Sequence, residues 1–562
     1  MPELNQTGHD GSDTSGRPGG DLAAAVERAS GTGSFDVERL GIDTDLPDDA
    51  DDVATGVPPP VPSPRVAVNE TVIVDTGLQD APHRHLEATG PEPTPLPLRV
   101  GLPGRMFRLW FAVTASAVSV ALGAWLVALG LTVREVVLGA VLGITLSFIP
   151  LGLGTLAGKR SGQPMLVLSR ATFGVVGNIV PTVLAILVRL VWGALLLTVA
   201  GQSIGAVAAP TGQTQDPGYS MVPALVGAFL VLGISATVAI YGYAMVALVQ
   251  ATLVFVSSAL LALTVIMTWG LVEFPGVLDA PDTRGAGVLT GAILVFVYLG
   301  LVWGISGADL ARYQRPSSGS IRSMLHALGG AGLPSLILLC YGAVLAASHP
   351  AQAAAFAVDP VGTVARLLPG WTGIPLMIVV TVTLLSALIV NLYSGGLAVA
   401  AATRSIGRVA GVLLAAGGTG LVALALIVNR TALSDAFLAL PLTLAVPVAA
   451  WAGLFSAELL LRRRPIDSGS LLRRGGVYAD WRWVNLGALL VISVLGFGLA
   501  GLGPGWLGWE GVLPGPVGTG SPVGLGGSGA GVLVAFVLGL LTPAIFGSPA
   551  IRRQEGAPLR HR

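Results

Sequence analysis

Thr114, Ser116 and Ser119 interrupt one long apolar run, and Tyr298, Gly300, Gly304, Ser306 and Gly307 crowd another. Glycine permits irregular backbone angles and close approach, so a helix broken at such places presents carbonyl and N–H groups to a polar solute near a membrane midplane. The same small residues also serve ordinary helix packing. Where the second run ends, residues 304–316 read GISGADLARYQRP. The i,i+3 spacing puts Asp309 and Arg312 on one helix face, with Tyr313 adjacent, as an interfacial gate or a structural pair. A lone cation, Arg189, stands about eight residues beyond Pro181, roughly 12 Å along a helix. That reach favours snorkelling to the membrane interface over a place in a transport pathway.

Nothing in the sequence assembles an enzyme site with a nucleophile, an acid–base pair and a metal. His83, His85, His326, His349 and His561 lack metal-ligand spacing, so no metal is assigned. The single cysteine, Cys340, lies in the apolar run Leu333–Ala346, where it fills space and has no partner for an internal disulfide. The chain is expected to be no enzyme and to need no cofactor.

The elements that position these groups follow from hydropathy. Of 562 residues, 53% are hydrophobic and 11% charged, and the mean hydropathy of +0.76 is too high for a surface in water. Residues 101–548 alternate apolar stretches with short connections, room for roughly twelve helices of about 20 residues each. Spans are expected near 107–130, 134–157, 181–206, 221–240, 243–269, 288–309, 327–347, 371–400, 407–428, 432–459, 484–503 and 528–548.

Charge orients them. Residues 1–100 hold 18 Asp/Glu against 6 Lys/Arg, and residues 101–562 hold 13 against 25. Beyond the tail, 20 Lys/Arg fall on one set of alternate connections and ends, and only Arg134, Arg284, Arg366 and Arg430 on the other. The positive-inside rule then places both termini in the cytoplasm, with the spans in the plasma (cell inner) membrane. Residues 1–30 lack the continuous apolar segment of a cleavable signal, leaving targeting to the first span. Residues 1–100 read as an acidic, mostly disordered tail, with short ordered pieces around Phe35–Ile42 or Val66–Val74. Residues 101–460 form a ten-helix core, 461–483 a basic linker, 484–548 two peripheral spans and 549–562 a second tail. The runs Arg462–Arg464 and Arg473–Arg474 suit anionic lipid headgroups, and arginines dispersed along membrane boundaries exclude a nucleic-acid surface.

Three motifs, SRATFG at Ser169–Gly174, ADLARY at Ala308–Tyr313 and NLYSGGL at Asn391–Leu397, resemble the nucleobase:cation symporter-1 family of cytosine and purine permeases and related hydantoin, allantoin and thiamine transporters. The resemblance covers essentially residues 101–548. It implies an all-α polytopic membrane protein with a LeuT-like 5+5 inverted repeat and two additional helices. In it, a bundle of spans 1, 2, 6 and 7 faces a scaffold of spans 3, 4, 8 and 9. It also implies secondary active uptake of a nucleobase or related nitrogen heterocycle, cytosine or a purine, by alternating access coupled to a cation gradient. A transporter-like sensor or structural interaction protein is the alternative, motivated by the acidic tail and by Leu196 where the family commonly has glutamine.

Trp192 matches the family's third-span aromatic, which stacks on a planar ring, and Asn391 the eighth-span asparagine, whose amide addresses the ring edge or bonds between helices. Gly300 falls where some members have a second stacking tryptophan, and Trp303, displaced by three residues, reads as packing. Thr114 and Ser116 complete the expected substrate-binding set, while Ser386 and Ser119 are assigned to ion binding or helix packing. Ser386 matches a hydroxyl associated with sodium, but the matching position before it is Leu385. A proton is therefore favoured over sodium as the coupling ion. The expected partners are the nucleobase-like molecule and membrane lipids.

Overall fold

The computed structural model describes residues 86–208, 220–273, 286–352, 367–403, 405–500, 509–512 and 529–556, with Ala355 and Thr363. Among them, ten helices are long and apolar enough to cross a membrane, a bent pair makes one more, and Trp483–Gly498 is a shorter apolar helix of the same series. The first span is the bent pair, Pro103–Thr114 and Ala117–Ala128, turning 53° at Ala115–Ser116. The second to fifth are Val133–Ser161, Ile179–Val207, Met221–Tyr241 and Tyr243–Thr268. The sixth is also broken: Ala286–Val295 passes through a π-helical turn, Phe296–Leu301, into Val302–Gly304, and resumes as Gly307–Ala311. Ser320–Ala347, Gly373–Ala402, Arg408–Val428 and Arg430–Leu461 are the seventh to tenth, and Trp483–Gly498 and Ala530–Thr542 the last two. The two breaks fall five spans apart, at equivalent places in two five-helix halves.

Local chemistry sets the helix ends. The second span begins in a capping box, where Thr132 Oγ1 accepts from Glu135 N at 3.3 Å and the Glu135 carboxylate accepts from Thr132 N at 3.0 Å. It ends at Gly162, whose φ of 73° lets the chain turn away. Phe229, Phe255, Ile266 and Leu421 point outward and exposed while the opposite faces are buried and equally apolar, as in helices surrounded by lipid.

With apolar solvent on both sides, close contact between backbones decides which helices pair. The second half of the first span meets the seventh at Gly123 and Gly342. A Cβ on Gly123 would land on the Leu339 carbonyl, and one on Gly342 on the Val120 carbonyl. Gly123→Val is expected to push these helices apart and destabilise the protein by about 1–3 kcal/mol. Thermal unfolding in detergent checks this, and an unchanged transition would show that the approach is dispensable.

The first, second, sixth and seventh spans pack chiefly on one another, and the third, fourth, eighth and ninth form a second group. The fifth lies against the first and eighth, and the tenth carries the eleventh and twelfth. Arg462, expected at lipid headgroups, instead pairs with buried Glu458, which also accepts from Arg482 and Asn485 and so ties the linker to the tenth and eleventh spans.

Residues 86–101, all but Gly101 within the segment expected as tail, run as a strap across the ends of the spans. Thr94 N bonds Gly162 O at 2.9 Å, Gly101 N bonds Tyr313 O at 2.9 Å, and Arg315 N bonds Gly101 O at 2.8 Å. Ser548–Gly556, at the start of the second tail, is helical. Phe35–Ile42 and Val66–Val74 lie outside the described residues.

Candidate functional site

The third span turns Arg189, Trp192 and Leu196 toward one face by their i, i+3, i+7 spacing, and all three are buried. Gly193 lets the eighth span approach, since a Cβ there would crowd the Asn391 amide and the Thr419 side chain. Asn391 then bonds Arg189 twice: its Nδ2 donates to Arg189 O at 2.9 Å, and its Oδ1 accepts from Arg189 Nη1 at 3.3 Å. Arg189 Nη2 donates to Ser306 Oγ, at the break of the sixth span. Ser306 Oγ donates to Ser394 Oγ at 3.0 Å, and Ser394 Oγ to the Asp309 carboxylate, whose other oxygen accepts from Met165 N at 2.8 Å. A relay of hydroxyls thus joins a buried guanidinium to a buried acid across three helices.

Arg189 does not snorkel. It is only 3% exposed, because Asn391, Ser306 and the Trp303 ring, 5.8 Å from the guanidinium carbon, replace the solvation that the interface would have given it. Trp303 in turn meets Trp110 edge-on at 6.2 Å. Trp192 lies 6.0 Å from Tyr298, which meets Trp125 edge-on at 5.4 Å. Five aromatic rings therefore surround the two breaks. The indole N–H groups of Trp110 and Trp192 are buried without a hydrogen-bond partner, each an unmet donor at a cost of about 1–3 kcal/mol. Gly300 abuts the second span, where a Cβ would strike Ser147.

At the first break, Ser116 Oγ caps the helix Ala117–Ala128 by accepting from Val118 N at 3.2 Å, and Ser119 Oγ donates to Thr114 O at 3.0 Å. Thr114 Oγ1 donates to Trp110 O at 2.9 Å. Ser386 Oγ stands 2.7 Å from both Ala112 O and Gln250 Oε1, and Thr383 Oγ1 accepts from Ala117 N at 3.4 Å. Carbonyl and hydroxyl oxygens from the first, fifth and eighth spans meet there, a donor set suited to a hard monovalent cation.

Asp309 and Arg312 share a helix face but not a bond, since Asp309 turns to the relay and Arg312 to Glu87 of the strap. Glu87 Oε1 accepts from Arg312 Nη2 at 2.8 Å, from Tyr313 OH, and from Tyr393 OH at 3.3 Å. Its Oε2 accepts from Tyr243 N at 2.7 Å, and its backbone carbonyl from Arg408 Nη2 at 3.0 Å. Tyr243 and Tyr313 stack at 3.9 Å. Burial pushes the Tyr313 phenol up to about 12, so it stays protonated as a donor to Glu87. Nothing in the residue pattern pointed to Glu87, Tyr243 or Arg408; Tyr393 and Ser394 stood within NLYSGGL, a motif noticed only for its resemblance.

The family described as "Permease for cytosine/purines, uracil, thiamine, allantoin" matches residues 95–510. YxlA of Bacillus subtilis (strain 168), named as a purine-cytosine permease, is 24% identical over 253 residues, 44% of this chain and 51% of that protein, so the match spans about half the relative's length. Among solved structures, the chain is similar to Mhp1, a nucleobase-cation-symport-1 family transporter, in a closed conformation with bromovinylhydantoin bound. The TM-score is 0.60 at 18% identity, covering 83% of this chain and 98% of that one. Mhp1 in its inward-facing conformation gives 0.59 at 19%, covering 84% and 94%. A Na+-coupled sialic acid symporter in a substrate-bound outward-open state gives 0.51 at 13%, covering 79% and 90%. The architecture is accordingly the all-α 5+5 inverted repeat.

The expectation of a proton as coupling ion is overturned by the sialic acid symporter, which shares the fold and is Na+-coupled. The physical reason for the error is local. Leu385 removes one side-chain oxygen, but the bend in the first span brings a backbone carbonyl, Ala112 O, to Ser386 without it.

Proposed function

Because the chain belongs to the family of permeases for cytosine/purines, uracil, thiamine and allantoin, we propose that it is a secondary transporter. In this reading it takes up a nucleobase or a related small nitrogen heterocycle by alternating access, driven by a sodium gradient. The observation that carries the reading is Trp192, a buried indole with an unpartnered N–H, held beside the Arg189–Asn391 pair and the sixth-span break. Its π face stacks on the heterocycle, its N–H meets a ring acceptor, and the polar pair lies at the ring edge. The cavities beside Trp192 and beside Asn391 are about 20 Å³ and 10 Å³. Each is too small for a heterocycle, so binding requires the bundle and the scaffold to separate. Trp110 contributes a second indole donor, and Thr114, Ser116 and Ser119 hold the first-span break open. Both termini lie in the cytoplasm of the cell (inner) membrane, supported by the 20-to-4 division of Lys/Arg.

Uptake by purified protein in vesicles tests this, with cytosine, uracil, purines, allantoin and thiamine offered under an imposed sodium gradient. Sodium-driven accumulation of at least one is expected, and none for any would sink the reading. Ser386→Ala removes the hydroxyl beside Ala112 O. It is expected to raise the sodium concentration for half-maximal uptake by about tenfold, with little change in maximal rate at saturating sodium. An unchanged sodium dependence would remove Ser386 from the ion site.

A further inference from the structure

We propose that Arg189 sets the substrate class of this site. It selects heterocycles with two adjacent hydrogen-bond acceptors, or an anionic edge, and rejects cations and edges that pair a donor with an acceptor. The inference rests on the reading that the site takes a heterocycle, and it names which ones.

A guanidinium remains charged under any physiological condition. Among the described residues no carboxylate lies within 4.0 Å of Arg189. Its two protein acceptors, Asn391 Oδ1 and Ser306 Oγ, are neutral, and the acid nearest along the network, Asp309, is reached only through two hydroxyls. Two of its five N–H donors are engaged, and the others remain for a ligand. The Trp303 ring beside it limits the tilt of the guanidinium plane.

Two parallel N–H bonds match two acceptors side by side. Cytosine offers O2 and N3, and hypoxanthine and guanine offer O6 and N7; this guanidinium pairing is the commonest specific contact to the O6/N7 edge. Adenine instead sets an amino donor beside N7, which faces donor against donor. Thiamine carries a positive charge into a pocket that already holds one. A side-chain amide would suit adenine, but the amide at Asn391 is spent at both ends on Arg189. Leu196, one turn beyond Trp192 on the same face, offers no amide either.

Equilibrium binding to the purified full-length protein in saturating sodium tests the assignment without requiring flux. Wild type is expected to bind hypoxanthine and cytosine about ten- to a hundredfold more tightly than adenine, with thiamine weakest. Arg189→Gln places a donor beside an acceptor and is expected to move the preference toward adenine. Should that variant fold poorly, 7-deazahypoxanthine supplies the same test on the wild type, since it lacks the N7 acceptor and is expected to bind about tenfold more weakly. Equal affinity for hypoxanthine and its deaza analogue, equal affinity for adenine and hypoxanthine, or an unchanged order in a folded Arg189→Gln would overturn the proposal and leave Arg189 a strut between helices. Absence of binding for the whole panel would overturn it together with the functional reading. Selective binding without sodium-driven flux would uphold it while sinking transport alone.

Discussion

Trp192→Ala is expected to cut uptake at limiting substrate by roughly 5- to 150-fold, the worth of one aromatic ring stacked on a base. The ring is 2% exposed, so truncation also opens a void at a cost of about 3–5 kcal/mol in stability. A loss of activity alone would be ambiguous. Trp192→Phe separates the two effects because it keeps a π face and most of the volume while deleting the indole N–H. Its uptake is expected to lie much closer to wild type at low substrate and to match it at saturation. Initial rates across substrate concentration, read beside thermal unfolding, decide the matter. Wild-type uptake by a folded Trp192→Ala protein would exclude stacking here.

Glu87→Ala is expected to release the closed arginine-rich face. In the closed form it strands Arg312, Arg408, the phenols of Tyr313 and Tyr393 and the backbone N–H of Tyr243, all of which converge on one largely buried carboxylate. Removing one partner of a buried pair costs about 3–5 kcal/mol. That cost falls only on the conformer in which the strap is docked, so the population shifts toward opening by about a hundredfold or more. A single cysteine at Ala398, in a Cys340→Ser background, reports the change. Its labelling by a polar thiol reagent from the arginine-rich side should accelerate strongly in Glu87→Ala, and less in Glu87→Gln, which keeps an acceptor. Equal labelling in all three would make the strap a surface ornament.

Most of the spans were legible because they are continuous apolar runs of bilayer length, a signal that needs no knowledge of neighbours. The breaks were half legible. Ser116 and Ser306 sit where small and polar residues cluster, but the same clustering serves packing, and Gly300 does abut the second span. Arg189 was misjudged because distance along a helix gives depth and not direction. Its direction depends on Asn391 and Ser306, 202 and 117 residues away. Glu87 was invisible for a related reason: it stands in a Pro-rich acidic stretch with no periodicity, and its partners belong to four other elements. The ion was misread because side chains were counted where a bent backbone supplies oxygen.

The strap has a consequence for biosynthesis. Glu87 is made before any span, yet Tyr243 lies 156 residues downstream, Arg312 225, Tyr393 306 and Arg408 321. Contacts so distant in sequence form late, after the helices they join have been inserted. Every nascent molecule therefore passes through a stage with its spans in the bilayer and its arginine-rich end unsealed. Docking of residues 86–101 marks the end of that stage, so protection of this segment from protease during translation would serve as a clock for the maturation of the whole bundle.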